Sequence, residues 1–254
     1  MRRVVFNQKG GVGKSSITCN LAAINAAQGK PTLVLDLDPQ GNTTHYLMGQ
    51  PATELEGSLF DFFERSLSLG GGRKSIHELI HATPYPNLFV LAAHPELESL
   101  EAKLESRYKI YKLKEALTSL EDEFDAIWID TPPALNFFSR SALIAAERCL
   151  IPFDCDAFSR QALYSLQGAI EELRADHNPD LEIEGIIVNQ FNAQAKLPQQ
   201  LIEALLEEGH PLLDVHLSSS VKMRESHQVS QPLIHYAPKH KLTQQFEALY
   251  RSIT

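Results

Sequence analysis

The sequence is poor in the features that mark secreted, membrane-spanning and disulfide-bonded proteins. Its three cysteines, Cys19, Cys149 and Cys155, show no metal-ligand or redox spacing, and an odd number of thiols suits a reducing compartment. No apolar run approaches the roughly 20 residues that span a bilayer. The N-terminus lacks the apolar core of a signal peptide. These absences predict a cytoplasmic globular chain without stable insertion into a membrane.

Positive charge is also scarce, because the 254 residues carry a formal net charge of −9. That balance disfavours a dedicated nucleic-acid-binding protein. The segment 215–254 differs from the rest, with five Lys and Arg residues against two Glu residues. A locally basic region on an acidic body either faces a polyanion or is a solvated surface, and charge alone favours the solvated surface.

Short apolar segments alternate with helical patterns along the chain. The strand-like segments are 2–7, 32–38, 88–93, 125–130, 149–154, 183–191 and 212–217. The helical patterns are 14–28, 95–108, 112–120, 136–148, 159–177 and 195–208. This alternation predicts an α/β fold with a mostly parallel twisted sheet and helices on both faces. No repeat or long linker divides the chain, so 1–254 is predicted to be one domain, with 66–75 as a surface loop.

A glycine-rich turn, "KGGVGKSS" (9–16), separates the first strand from the first helix. Glycines let backbone N–H groups curl around phosphate oxygens, and the helix N-terminus adds the positive end of its dipole. In such a loop Lys14 reaches the β- and γ-phosphates, and the Ser15 hydroxyl binds Mg²⁺. Gln8 replaces the first glycine of an ordinary Walker A loop. The predicted nucleotide-binding residues are Gly10, Gly11, Val12, Gly13, Lys14, Ser15 and Ser16.

The stretch "KGGVGKS" resembles the deviant phosphate loop of the ParA/MinD superfamily of ATPases. The resemblance extends to "DLDPQGNTT" (36–44) and "FDAIWIDTPPAL" (124–135), which are similar to the two switch segments of that family. "VNQF" (188–191) and "QPLIHYAPKH" (231–240) also match, so essentially the whole chain is covered. The resemblance implies the P-loop NTPase fold, ATP and Mg²⁺ as cofactors, and a homodimer that forms on ATP.

The resemblance also gives a role to the second lysine of the loop, Lys9. In the family this lysine crosses the dimer interface and contacts the phosphates of the other subunit, where it stabilises developing charge as an arginine finger does. Asp130 closes an apolar strand like a Walker B carboxylate and is expected to hold Mg²⁺ with Ser15 and Asp38. Asp38 is expected to orient the attacking water, and Asn189 to contact adenine. The predicted catalytic residues are Lys9, Lys14 and Asp38.

The segment "HELIH" (77–81) spells H-E-x-x-H, which on a long helix would bind zinc through His77 and His81 with Glu78 as the base. The segment lies between a triple glycine and Pro84, which leaves room for only about two helical turns. A short amphipathic helix that packs through its apolar residues is therefore the favoured interpretation, and zinc is not expected.

Members of the superfamily perform several jobs, and a few features narrow the choice. A first strand that starts at residue 2 leaves no room for an N-terminal helix-turn-helix domain, which disfavours sequence-specific DNA binding. The C-terminal apolar stripe has too few cations beside it for an anionic membrane, so it is expected to dock on the core. That stripe consists of Phe246, Leu249, Tyr250 and Ile253. Dethiobiotin-synthetase-like ligases usually lack a lysine at the position of Lys9, so the presence of Lys9 disfavours a metabolic ligase.

The sequence thus predicts a small ParA-type ATPase that binds DNA without sequence preference and positions a cargo. A ParB-like or cargo-adaptor partner is expected to stimulate hydrolysis, and the ATP-bound dimer is expected on the nucleoid. The resemblance places Lys222 at a DNA-contacting position, with Arg224, Lys239 and Lys241 nearby, although these could be four solvated cations. The alternative is a MinD-like regulator that acts at a membrane or on a protein partner without DNA.

Overall fold

A computed structural model describes residues 1–68, 75–155 and 159–254. The strands in these ranges are β1 (Arg2–Val5), β2 (Thr32–Asp36), β3 (Ile80–Ala82), β4 (Leu88–Leu91), β5 (Ala126–Asp130), β6 (Arg148–Asp154) and β7 (Glu182–Asn189). They form one sheet in the order β3-β4-β2-β5-β1-β6-β7. All neighbouring strands are parallel except β3, which runs antiparallel to β4 at the edge.

Helices connect the strands and cover the sheet. In the described ranges they are α1 (Lys14–Ala27), α2 (Asn42–Met48), α3 (Leu59–Leu67), α4 (Leu97–Ser106), α5 (Lys112–Thr118), α6 (Phe137–Ala145), α7 (Ser159–His177), α8 (Lys196–Glu207), α9 (Val221–Gln228), α10 (Leu233–Tyr236) and α11 (Lys241–Ser252). Two 3₁₀ turns, Ala52–Glu54 and Ile76–Leu79, complete the set.

Each central strand contributes side chains to two apolar cores, one on each face of the sheet. Val4, Ile127 and Ile129 belong to the core that packs under α3 to α8. Val5 and Trp128, which alternate with them, belong to the core under α1, α2, α10 and α11. Because successive strand residues point to opposite faces, this alternation buries both sides of the sheet. The predicted doubly covered α/β sheet is confirmed.

The predicted strand at 212–217 is wrong. This segment forms only an isolated bridge between Leu212 and Ile186, followed by a second between Ser218 and Phe191. Gly185 lets the segment approach β7 closely, since a Cβ on that glycine would lie 2.5 Å from the Leu213 side chain. A short apolar run does not distinguish a strand from an irregular segment packed against one.

The short amphipathic helix predicted around "HELIH" is only one 3₁₀ turn, although its apolar residues Ile76 and Leu79 are buried as predicted. Its residues form the 3₁₀ turn Ile76–Leu79 and then enter strand β3, because Ile80 pairs with Leu91 of β4. His77 contacts Glu123 at 3.1 Å, whereas Nε2 of His81 lies 2.8 Å from the carbonyl oxygen of Gly57. The two imidazoles therefore have different partners. Most of the predicted loop at 66–75 lies outside the described residues.

The C-terminal helix α11 docks on the core as predicted. Phe246, Leu249, Tyr250 and Ile253 are all buried. The guanidinium of Arg3 donates to the Ile253 carbonyl at 2.5 Å and to the Glu184 carboxylate, so the chain end is tied to β1. Across the described ranges, the helices are too short or too polar to cross a bilayer.

Candidate nucleotide site

The phosphate loop lies at the carboxyl ends of the parallel strands, between β1 and α1. Gly13 precedes α1 with φ 92°, and a Cβ at this position would lie 2.3 Å from Asn189 Nδ2. Glycine is required here because other residues rarely adopt this conformation and have no space. Asn189 and Gln190, at the end of β7, donate to the carbonyls of Val12 and Gly11 at 2.8 and 2.9 Å. The loop is thereby held from the neighbouring edge of the sheet.

Lys14 lies inside the loop, with only 7% of the residue exposed. Its ammonium donates to the carbonyl oxygen of Lys9 at 3.1 Å. Burial lowers the pKa of Lys14, and the nearby carboxylates of Asp130 and Asp38 oppose this shift. The predicted phosphate-binding lysine is thus placed at the loop, beside two carboxylates.

Three aspartates from two adjacent strands converge behind Lys14. Asp38 lines the cavity at the loop, whereas Asp36 and Asp130 are fully buried. Burial raises the pKa of all three carboxyl groups, that of Asp130 to about 6. For Asp130, hydrogen bonds from the Ser15 and Thr43 hydroxyls partly offset the effect of burial.

Asp36 organises the segment that carries Asp38. Its carboxylate accepts hydrogen bonds from the backbone N–H and hydroxyl of Thr44 at 2.7 and 2.8 Å, and from the Asp38 N–H at 3.2 Å. The Thr44 hydroxyl also accepts from Ala93 N–H. These contacts fix the turn between β2 and α2, so Asp36 positions Asp38.

The donor set fits a Mg²⁺ ion. The Ser15 hydroxyl is hydrogen-bonded to Asp130, and Asp38 faces the same cavity. Mg²⁺ takes oxygen ligands and keeps several waters, so it does not need a cage made only of protein side chains. Ser15 would hold the ion directly, and the carboxylates through water.

Lys9 contacts the end of a different strand from those whose carboxylates lie near Lys14. Its ammonium contacts both carboxylate oxygens of Asp154, at 2.8 and 3.0 Å. Asp154 ends β6, which lies on the side of β1 opposite β5 and β2. The two lysines of one loop therefore reach different parts of the sheet edge, and Lys9 remains 38% exposed.

Two cavities flank the phosphate loop. The larger, about 570 Å³, is lined by residues that include Lys14, Ser15, Asp38, Tyr46 and His227. The smaller, about 360 Å³, is lined by residues that include Gly13, Asn189, Met223, Arg224 and Phe246. The position of the larger cavity suits the terminal phosphates of a nucleotide. The smaller cavity, which is also lined by Gly11 and Ser16 of the loop, suits the base, the ribose and the phosphate next to the ribose.

The four cations predicted to contact DNA do not form one uniform patch. Lys222 pairs with Glu225 at 2.6 Å and lies 5.6 Å from the centre of the Tyr236 ring. Lys239 and Lys241 are exposed where α10 joins α11. Arg224 lines the smaller cavity beside the phosphate loop. Their contact with DNA stays a prediction.

The fold brings the predicted phosphate loop, Asp38 and Asp130 together, and it adds residues to them that the sequence did not indicate. Thr43 and Thr44 belong to the "DLDPQGNTT" segment. Their hydroxyl groups could have indicated hydrogen bonds to the carboxylates of the site. No sequence motif indicated that Asp154 and His227 would lie at the phosphate loop. Burial lowers the pKa of His227, which favours the neutral imidazole.

Known proteins resemble this chain in sequence and in fold. An AAA domain family matches residues 3–183. The chain is 32% identical over 253 residues to a chromosome partitioning protein ParA from Myxococcus xanthus, covering 98% of this chain and 86% of that protein. Apo McdA from Cyanthece has the same fold, with TM-score 0.85 and 21% identity over 100% of this chain and 99% of McdA.

A second structure with this fold is cobyrinic acid a,c-diamide synthase from Mycobacterium smegmatis with a bound ATP analog and magnesium. Its TM-score is 0.85 at 24% identity, over 99% of this chain and 93% of that one. Proteins with such different names share the fold, so the fold alone does not assign the function.

Fold and site together define a P-loop nucleotide-binding protein with a deviant Walker A loop. The family match and the 32% identity to a partitioning ParA make the assignment more specific. The chain belongs to the ParA/MinD superfamily of ATPases, as a ParA-type member.

Proposed function

We propose that this protein hydrolyses ATP with Mg²⁺, dimerises on ATP, binds DNA non-specifically and uses that cycle to segregate or space a cargo. The observation that carries the proposal is the divergence of the two loop lysines. Lys14 is buried beside Asp38 and Asp130, where it serves the nucleotide of its own subunit. Lys9 is partly exposed and extends towards β6, where a second subunit could meet it.

The proposed reaction is in-line attack of water on the γ-phosphate. Asp38 faces the cavity and would orient that water, while Lys14 and the partner's Lys9 would stabilise the charge on the phosphate oxygens. Ser15, Asp38 and Asp130 would hold the Mg²⁺ ion, which would supply neutralisation of the phosphate charge. Asn189 is held at the edge of the smaller cavity, which suits a contact with adenine.

The proposed DNA surface contains Lys222, Lys239 and Lys241. A monomer of net charge −9 would bind DNA weakly, and dimerisation would bring two basic C-terminal regions onto one DNA molecule. A ParB-like or cargo-adaptor partner would stimulate hydrolysis and release the dimer from the nucleoid. The apolar face of α11 is packed on the core, which supports DNA over a membrane surface.

Lys9→Ala tests the proposal at its centre. The variant is expected to bind ATP within about twofold of wild type but to stay monomeric and lose hydrolysis, because it lacks the charge that acts across the interface. Sedimentation velocity with ATP·Mg²⁺ and ADP·Mg²⁺ measures the dimer, and phosphate release measures turnover. Lys103→Ala, which removes an exposed lysine from α4, is the matched control. A Lys9→Ala protein that dimerises normally on ATP would refute the proposed role.

A further inference from the structure

One face of α9 is turned towards the phosphate loop. Met223 and Arg224 line the smaller cavity, and His227 lines the larger one. Residues three and four apart share a face of a helix, so this placement follows from their spacing. Lys222 and Glu225 lie on another side, where both contact Tyr236 of α10. The helix therefore presents one set of polar groups to the nucleotide site and another to its surroundings.

His227 makes the direct connection to the loop. Its Nε2 lies 2.8 Å from the Ser16 hydroxyl, and its ring stacks on Tyr46 with centroids 4.1 Å apart. Ser16 stands in the first turn of α1, where backbone N–H groups face a bound anion. A group on α9 is thus one hydrogen bond away from the phosphate-binding turn.

A second contact joins α9 to the segment that carries Asp38. The Tyr46 hydroxyl, on α2, lies 2.9 Å from the Ser226 hydroxyl, and both groups are buried. Asn20 of α1 is also within hydrogen-bonding reach of Tyr46 and accepts from Leu233 N–H of α10 at 2.8 Å. A shift of α1 or α2 on nucleotide binding would therefore displace α9 through these contacts.

We propose that α9 is itself a nucleotide-binding element, in which Arg224 contacts the nucleoside di- or triphosphate held by the phosphate loop of the same subunit and His227 positions the Ser16 hydroxyl for it. Arg224 takes a phosphate or ribose oxygen from the smaller cavity, and His227 acts through Ser16. The inference rests on the proposed ATPase function and reassigns Arg224 from DNA to nucleotide. The position of Lys222, on the other side of α9, then depends on whether a nucleotide is bound to the phosphate loop.

The chemistry of each group suits this role. Arg224 forms no ion pair with any residue in the described part of the chain, so its guanidinium donors are available to an oxyanion. A serine hydroxyl donates one hydrogen bond and accepts two. When Nε2 of His227 carries the proton, it donates to Ser16 and leaves the hydroxyl proton for a phosphate oxygen.

Fluorescence titration with N-methylanthraniloyl-ADP and Mg²⁺, without DNA or partner, tests the proposal. Arg224→Ala and His227→Phe are expected to weaken binding about 3- to 10-fold, the size of one lost hydrogen bond. His227→Phe keeps the ring on Tyr46 but removes the nitrogen, and His227→Gln is expected to restore most of the affinity. Arg251→Ala, which removes an exposed arginine from α11, is expected to bind like wild type.

Hydrogen exchange gives a second readout, measured first on the wild-type protein. Bound ADP·Mg²⁺ is expected to slow exchange in 221–229, and His227→Phe to lose that protection. Wild-type affinity in both Arg224→Ala and His227→Phe, or exchange in α9 that ignores nucleotide, would overturn the inference alone. A wild-type protein that binds no nucleotide would overturn the proposed ATPase function as well.

Discussion

The nucleotide edge of the sheet and the C-terminal segment 219–254 meet at the same cavities but are specified in different ways. The edge is built from short motifs, each directly after a strand, so that Lys14, Asp38 and Asp130 arrive together once the parallel sheet forms. The C-terminal segment reaches the site through packing of α11 and through single polar contacts such as that of His227 with Ser16. The residues of the nucleotide site are therefore specified by short local motifs. Their connection to the C-terminal helices depends on tertiary packing.

Phe246→Ala tests the packing of the C-terminal segment and should give the largest loss of stability among these variants. The Phe246 ring is 1% exposed in the core under α11 and also lines the smaller cavity. Loss of a buried phenylalanine leaves a void and costs about 3–5 kcal/mol of unfolding free energy. Urea denaturation measures the change, and Phe246→Leu, which leaves a smaller void and is expected to lose less than the alanine variant, is the control. Equal stability of the alanine variant and wild type would mean that α11 does not close this core.

Asp130→Asn tests the nucleotide edge of the sheet, because it removes a buried charge without changing the shape of the side chain. The pKa of Asp130 is raised from 3.8 to about 6, so the native state binds this proton more tightly than the unfolded state. Wild-type stability without nucleotide and Mg²⁺ should therefore fall as pH rises from about 4 through 6. The variant should gain up to about 3 kcal/mol at pH 8 and about half as much at pH 5, where the native carboxyl is still mostly protonated.

Thermal unfolding at the two pH values measures that gain. Asp176→Asn, at an exposed position on α7, is the control and should show no such difference. The same Asp130→Asn variant is expected to lose hydrolysis. A gain that is larger at pH 5 than at pH 8 would contradict the assignment of a buried ionised carboxylate to this position.

Lys222→Ala should give the smallest effect and tests whether the outer side of α9 meets DNA. Loss of one phosphate contact per subunit is expected to weaken binding severalfold and to reduce the salt slope by about 1 for each contact. ATP-dependent dimerisation should stay intact. Fluorescence anisotropy with labelled duplex over a salt series measures both quantities. Unaltered affinity and slope would return Lys222 to the solvated surface, where its pairing with Glu225 would suffice to explain it.

How much the sequence could predict follows from how far apart the interacting residues lie. "KGGVGKSS" predicts its own strand–turn–helix geometry, and apolar runs predict the central strands. His227 lies 211 residues from Ser16, and Lys9 lies 145 residues from Asp154, so no local pattern indicates either contact. The polar helix α9 shows little periodicity, and β3 is only three residues long. Pairing with β4 gives residues 80–82 their structure, and local propensity alone predicted a helix.

The most direct test of the central claim is binding to non-specific duplex DNA with ATP·Mg²⁺, with ADP·Mg²⁺ and without nucleotide, each at two salt concentrations. The proposed cycle predicts binding only with ATP·Mg²⁺, weakened at the higher salt because phosphate contacts release counterions. A protein that dimerises on ATP yet binds DNA in none of the three states would contradict the claim, and would favour a regulator that acts on a membrane or a protein partner instead.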